Sequence, residues 1–219
     1  MKAIVFTKYG SPDVLQLKEV EKPTPGENDV LIKVHASSIN DWDWGLLRGK
    51  PFVNRLLFGL LKPKVQILGC DVAGKVEAVG KNVKQFHPGD EVFGDLCEFG
   101  FGGFAEYVCA NKNALTLKPS GITFEEAAAI PQAAILALVG LRNYAQILPG
   151  QKVLINGAGG GAGSFAVQLA KLFGAEVTGV DSTIKLDFMR SIGADHVIDY
   201  TKEDFTKNGQ RYDLIHDGA

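Results

Sequence analysis

The 219-residue chain is 46% hydrophobic and 22% charged, with a formal net charge of −2. That balance suits a soluble globular protein of one large domain or two modest ones, and it excludes the dense positive charge of a nucleic-acid or membrane-surface binder. Three scattered cysteines, Cys70, Cys97 and Cys109, lack CxxC spacing, so neither a disulfide framework nor a structural zinc site is expected and a reducing cytosol fits.

Met1 to Phe6 enters a strand-like run at once, without the apolar stretch and cleavage site of a signal peptide. Pro23-Thr24-Pro25-Gly26 is a loop, and Val30, Ile32, Val34 and Ala36 then alternate as a strand with one buried face. Trp42 and Trp44 follow in a turn, where they either line a substrate pocket or fill the core, with Asp43 as a structural hydrogen-bonding partner. Gly69 to Gly80 alternates again. His87-Pro88-Gly89-Asp90 is turn chemistry ahead of the short strand Glu91-Val92-Phe93, and Phe104 to Val108 is a further strand candidate. Many short strands joined by Gly/Pro turns predict a partly barrel-like β domain over residues 1–122.

The texture changes at Thr123. Thr123-Phe124-Glu125-Glu126 reads as a capping box before Ala127-Ala128-Ala129, and a second helix is expected from Ile135 to Gln146. The most apolar stretch, Ala127 to Leu141, is broken by Pro131 and Gln132 and is too short to span a bilayer. From Gln151 strands and helices alternate: strand Lys152–Asn156, helix Ser164–Phe173, strand Glu176–Val180, helix Lys185–Ile192 and strand His196–Ile198. Tyr212 to Ala219 reads as a fourth strand with its exit loop. This order predicts a parallel, doubly wound sheet over residues 123–219, with only the first of two mononucleotide halves present, so a truncated chain is expected.

Ala158-Gly159-Gly160-Gly161-Ala162-Gly163 lies between a strand and a helix. Small residues there let the backbone turn tightly and approach a pyrophosphate, which the helix N-terminus meets with free N–H groups. The end of the next strand carries conflicting signals. Asp181 suits the two ribose hydroxyls of NADH, whereas Ser182, Thr183, Lys185 and Tyr200 suit the 2′-phosphate of NADPH.

Residues 157–171, Gly157-Ala158-Gly159-Gly160-Gly161-Ala162-Gly163 running on to Lys171, resemble the nucleotide loop of the quinone-oxidoreductase-like branch of the medium-chain dehydrogenase/reductase superfamily. Ser191 to Tyr200, Gly69 to Val76 and Gly89 to Gly94 are similar to further segments of it. The resemblance covers essentially the whole chain. It implies a GroES-like catalytic domain followed by a Rossmann domain, with cofactor contacts from Gly159, Gly161 and Ala162 and with Ser182 and Tyr200 near the 2′-phosphate. Asp181 and Ile184 depart from that branch, which keeps NADH open beside NADPH, and Leu136 stands where the branch often has a Thr.

The superfamily's alcohol dehydrogenases hold a catalytic zinc with a Cys and a His-Glu pair. Here Asn40 stands at the first position, Cys70-Asp71 at the pair, and no thiolate lies near Gln132-Ala133-Ala134, so no metal is expected. The expected activity is hydride transfer from NADPH to a small-molecule quinone or α,β-unsaturated carbonyl, with Asn40 the best polar candidate to meet charge on the carbonyl oxygen. The rivals are a nucleotide-binding protein without turnover and a zinc-type alcohol dehydrogenase relative. The sequence does not give the oligomeric state; the full-length form has room for a homo-oligomer, because related enzymes commonly pair through strands of the cofactor domain's second half.

Overall fold

The computed structural model describes residues 1–218. Compactness divides the chain into two units that meet between Gln132 and Ala133.

In the first unit, β1 (Lys2–Val5) pairs antiparallel with β2 (Gln16–Glu19). β3 (Asp29–Ala36) is followed by two helices, α1 (Asp41–Arg48) and α2 (Val53–Phe58). Then come β4 (Asp71–Val79), β5 (Glu91–Asp95), β6 (Tyr107–Asn111) and β7 (Leu115–Leu117). The larger sheet runs β6-β3-β4-β5-β7, antiparallel throughout. Val30, Ile32, Val72, Val92 and Val108 fill the core beneath it. Each such β-branched side chain contributes about 1.5–3 kcal/mol when fully buried.

α3 (Phe124–Ala128) starts at the predicted box: the Thr123 hydroxyl accepts from the Glu126 N–H, and the Glu126 carboxylate accepts from the Thr123 N–H. The helix packs on β3, β4 and β5, with Ala127 and Ala128 against Ala73. α4 (Pro131–Leu138) comes next and runs into a π-helical turn over Val139–Tyr144.

The second unit has β8 (Lys152–Asn156), α5 (Gly161–Leu172), β9 (Glu176–Asp181), α6 (Leu186–Ser191), β10 (His196–Asp199) and β11 (Leu214–Asp217). Its sheet order is β10-β9-β8-β11, all parallel, so the strand order reverses direction beside β8. α5 buries Gly163, Ala166, Val167 and Ala170, a helical stripe of small residues that lets it lie close on Val153, Ile155 and Val177. Leu154, Val180 and Ile198 point to the other face, under Phe205 and Tyr212.

Three local expectations need correction. The strand sought at Phe104–Val108 forms three residues later, as β6. Gly103 and Phe104 spend their N–H groups on the Gly69 and Leu68 carbonyls, and the Phe104 carbonyl serves Ile4, so this stretch crosses strands instead of extending one. The second helix begins at Pro131, not Ile135, because proline at the first helical position forfeits only an N–H that has no partner there. The turn around Trp42 is the helix α1: Asp43 accepts the Asn40 N–H, Asp41 and Asp43 load the first turn, and Gly49 closes it in the left-handed region. Trp42 and Trp44 are 41% and 44% exposed, so they do not fill the core.

Candidate functional site

In the second unit the loop after β8 is laced to β9. The N–H groups of Gly157 and Ala158 both donate to the Val180 carbonyl, and the Ala158 methyl is fully buried in the core. Gly159 N–H donates to Asp181 Oδ2 at 2.9 Å, and Gly160 N–H to the Gly157 carbonyl. The next N–H to find a helical partner is that of Ser164, on the Gly160 carbonyl. Gly161, Ala162 and Gly163 therefore open α5 with N–H groups that no acceptor takes among the described residues, and no side chain caps them. Gly163 has to be glycine, since a Cβ there would stand 2.0 Å from the Gly157 carbonyl oxygen.

Around the rim of this loop, Asp181 lies at the end of β9 and is 6% exposed. Its Oδ1 accepts from the Ser182 N–H at 2.7 Å, and Lys185 Nζ stands 3.4 Å from Oδ2. Burial pushes the Asp181 carboxyl up, but the Ser182 and Gly159 N–H groups and Lys185 outweigh it and hold it below the usual carboxylate range. Tyr200 follows β10; it is 56% exposed and its N–H donates to the Asp181 carbonyl. The structure thus brings Ala158 to Gly163, Asp181, Ser182, Lys185 and Tyr200 to one end of the parallel sheet. Sequence reading passed over Asp199, which pairs in register with Asp181 and accepts from the hydroxyls of Thr183 and Thr201, so that its carboxyl is held low. The available signal was its place at a strand end.

Asn40 belongs to the first unit. Its Nδ2 donates to Asp71 Oδ2 at 3.1 Å and to Ser38 Oγ at 3.0 Å, and Ser38 Oγ itself donates to Asp71 Oδ2 at 2.9 Å. Asp71 Oδ1 accepts the Gln132 N–H at 3.0 Å. Asp71 is fully buried among neutral donors, and burial pushes its carboxyl up to about 6. Both amide hydrogens of Asn40 are spent inside the unit, so the group it has left to offer is the acceptor Oδ1, not the oxyanion donor that the sequence suggested. Asp43 is structural, as expected: its Oδ1 takes the Gly69 N–H at 2.8 Å. Asp71 was read from the sequence only as half of a pair that cannot complete a zinc site, although a lone carboxylate in the apolar run Cys70-Asp71-Val72-Ala73 was a signal that it gathers donors in the interior. Among the described residues, no three or more His, Cys, Asp or Glu side chains gather as metal ligands. All three cysteines are free. Among the described residues, no helix is long and apolar enough to cross a membrane.

An antiparallel β unit followed by a parallel β/α unit, with a glycine-lined turn beside the switch strand, defines the dinucleotide-dependent dehydrogenase class of fold. Comparison with known proteins agrees. Residues 26–120 match the alcohol dehydrogenase GroES-like domain family, and residues 161–213 match the zinc-binding dehydrogenase family. The chain is 41% identical to a 2-methylene-furan-3-one reductase of Solanum lycopersicum, matching over all of its own length and 57% of the relative's. It is 36% identical to a chloroplastic quinone oxidoreductase of Triphysaria versicolor over 98% of its own length and 67% of the relative's. Among solved structures, the quinone oxidoreductase of Coxiella burnetii superposes with a TM-score of 0.89 at 35% identity, covering 98% of this chain and 67% of that one. The Escherichia coli quinone oxidoreductase complexed with NADPH superposes at 0.82 and 30% identity, over 93% of this chain and 60% of that one. The chain belongs to the quinone-oxidoreductase-like branch of the medium-chain dehydrogenase/reductase superfamily. It spans between half and two thirds of the length of several of these relatives.

Proposed function

We propose that this protein serves NADPH-dependent, zinc-independent reduction of a small-molecule quinone or α,β-unsaturated carbonyl. The observation that carries the reading is the run of acceptor-less N–H groups on Gly161, Ala162 and Gly163 at the C-terminal end of β8. Three converging N–H donors at the positive end of a 12-residue helix fit a pyrophosphate. The bound cofactor supplies the hydride. Gly161 to Gly163 hold its phosphates, and Ser182, Lys185 and Tyr200 surround the adenine-side ribose. Lys185, 39% exposed along its side chain, supports NADPH over NADH because an ammonium favours a 2′-phosphate.

On the substrate side Asn40 is the residue to test. Ser38 and Asp71 hold its amide, which leaves Oδ1 as an acceptor. The proposed absence of zinc rests on donor chemistry: an amide at position 40 and the Cys70-Asp71 pair do not make a three-ligand site, and Cys70 is fully buried with its thiol pushed far up, chiefly by the neighbouring Cys97 and by burial.

Fluorescence titration with NADPH and NADH is the direct test. NADPH is expected to bind at least about tenfold more tightly, equivalent to about 1.4 kcal/mol. Binding of neither nucleotide would overturn the reading, and tighter NADH binding would overturn its choice of cofactor. A panel of quinones and enones then tests turnover. Asn40→Ala is expected to lower it without weakening NADPH binding, and unchanged turnover would remove Asn40 from the site.

A further inference from the structure

A carboxylate at the end of the second strand of such a sheet ordinarily faces the adenine ribose, where its two oxygens accept from ribose hydroxyls and its charge repels a 2′-phosphate. Asp181 occupies that position, yet its acceptor capacity is directed inward. Oδ2 takes the Gly159 N–H at 2.9 Å and has Lys185 Nζ at 3.4 Å. Oδ1 takes the Ser182 N–H at 2.7 Å and the Ser182 hydroxyl at 3.3 Å. The side chain is 8% exposed, and one edge of it forms a wall of the loop: a Cβ at Gly159 would stand 3.0 Å from Asp181 Oδ2 and 2.6 Å from Lys185 Cδ. The Lys185 stem and the Asp181 carboxylate therefore close over Gly159 together, and only glycine leaves room for them.

We infer that Asp181 is a positioning residue: it anchors the glycine loop through Gly159 and is not the group that reads the ribose. This rests on the nucleotide-binding function proposed above. Holding Gly159 matters because the three N–H groups offered to a pyrophosphate begin two residues later, and a loop tied to β9 only through the Val180 carbonyl would leave their direction less fixed. With its acceptor positions taken by the Gly159 and Ser182 N–H groups, the Ser182 hydroxyl and Lys185 Nζ, Asp181 has none left for the ribose hydroxyls.

The test compares wild type with Asp181→Ala by two measurements. Amide hydrogen exchange in the nucleotide-free protein reads the anchor alone: exchange at Gly159 and Gly160 is expected to quicken by tenfold or more, with the β8 and β9 amides unchanged. Titration with NADPH and with NADH reads the consequence, and both are expected to weaken by a similar factor of about ten, with their ratio moving less than threefold. A ratio shifted tenfold or more toward NADPH, with Gly159 exchange unchanged, would overturn the inference and make Asp181 the ribose reader. If wild type binds neither nucleotide, the proposed function fails, while the exchange measurement still decides whether Asp181 anchors the loop. Lys185→Ala serves as the control: it is expected to weaken NADPH selectively, with slow exchange at Gly159 retained.

Discussion

The two units treat buried carboxylates in opposite ways. In the first, Asp43 and Asp71 lie almost wholly out of water and meet only neutral donors, so burial dominates and both carboxyls are pushed up. In the second, the buried Asp181 is offered N–H groups and a lysine that outweigh its burial, and the buried Asp199 is offered hydroxyls and Lys202; both are held low, as is the more exposed Asp195 beside Lys171. The same side chain thus opposes folding at neutral pH in one unit and supports it in the other. What differs is the company that the backbone assembles, not the depth of burial alone.

The largest expected effect strikes the second unit's loop. Gly163→Ala puts a methyl against the Gly157 carbonyl, a backbone group that cannot swing aside, and should cost about 3 kcal/mol in chemical denaturation. A loss below about 1 kcal/mol would mean the loop is not wedged between β8 and α5, and the supply of N–H groups to Asp181 would lose its basis.

Next comes the pH dependence of Asp71. Its folded pKa of about 6 lies above the ordinary 3.8, so between those values the folded state binds more protons than the unfolded one. Stability therefore falls as pH rises through that window and stays lower above it, by roughly 3 kcal/mol in all. Asp71→Asn removes this slope: between pH 4 and 7 the variant should lose less stability than wild type. Parallel curves would show that Asp71 is ionised at an ordinary pH and that the contrast between the units is false. The substitution also sets an amide N–H2 against Asn40 Nδ2, so Asn40 is expected to turn its oxygen inward.

The smallest effect runs the other way. Asp195 takes Lys171 Nζ at 2.7 Å and the Val177 N–H at 2.7 Å, and its carboxyl is lowered. Its contribution is present above pH 3.8 and is lost as pH falls through the lower folded value. Because the pair is about one-third exposed, Asp195→Asn should cost no more than about 1 kcal/mol at pH 7, and progressively less as pH falls below 3.8. A loss that does not shrink as pH falls below 3.8 would make the Val177 hydrogen bond, rather than charge, the source.

Much of this was legible along the chain because it is local. The strand-loop-helix around Gly157 to Leu172, the Thr123 capping box and the alternation of β3 and β4 depend on neighbours a few residues away, where periodicity and turn chemistry act. Asp181 was visible as a carboxylate at a strand end, and so were its rivals Ser182 and Lys185. Which way it would face was not, since its partner Gly159 lies across a helix in sequence and meets it only when β8 and β9 pair. Asn40 was likewise visible as a polar residue in place of a thiolate, but Asp71, itself held by the Gln132 N–H, meets it from a strand 31 residues away, and that pairing decided that its amide hydrogens are used within the protein. The sequence by itself determined the order of elements, the glycine loop and the family resemblance, because these follow from local backbone preferences and residue type. Only the tertiary structure decided which hydrogen bonds each carboxylate and amide makes, because a donor is supplied by whatever chain segment folding brings within 3 Å.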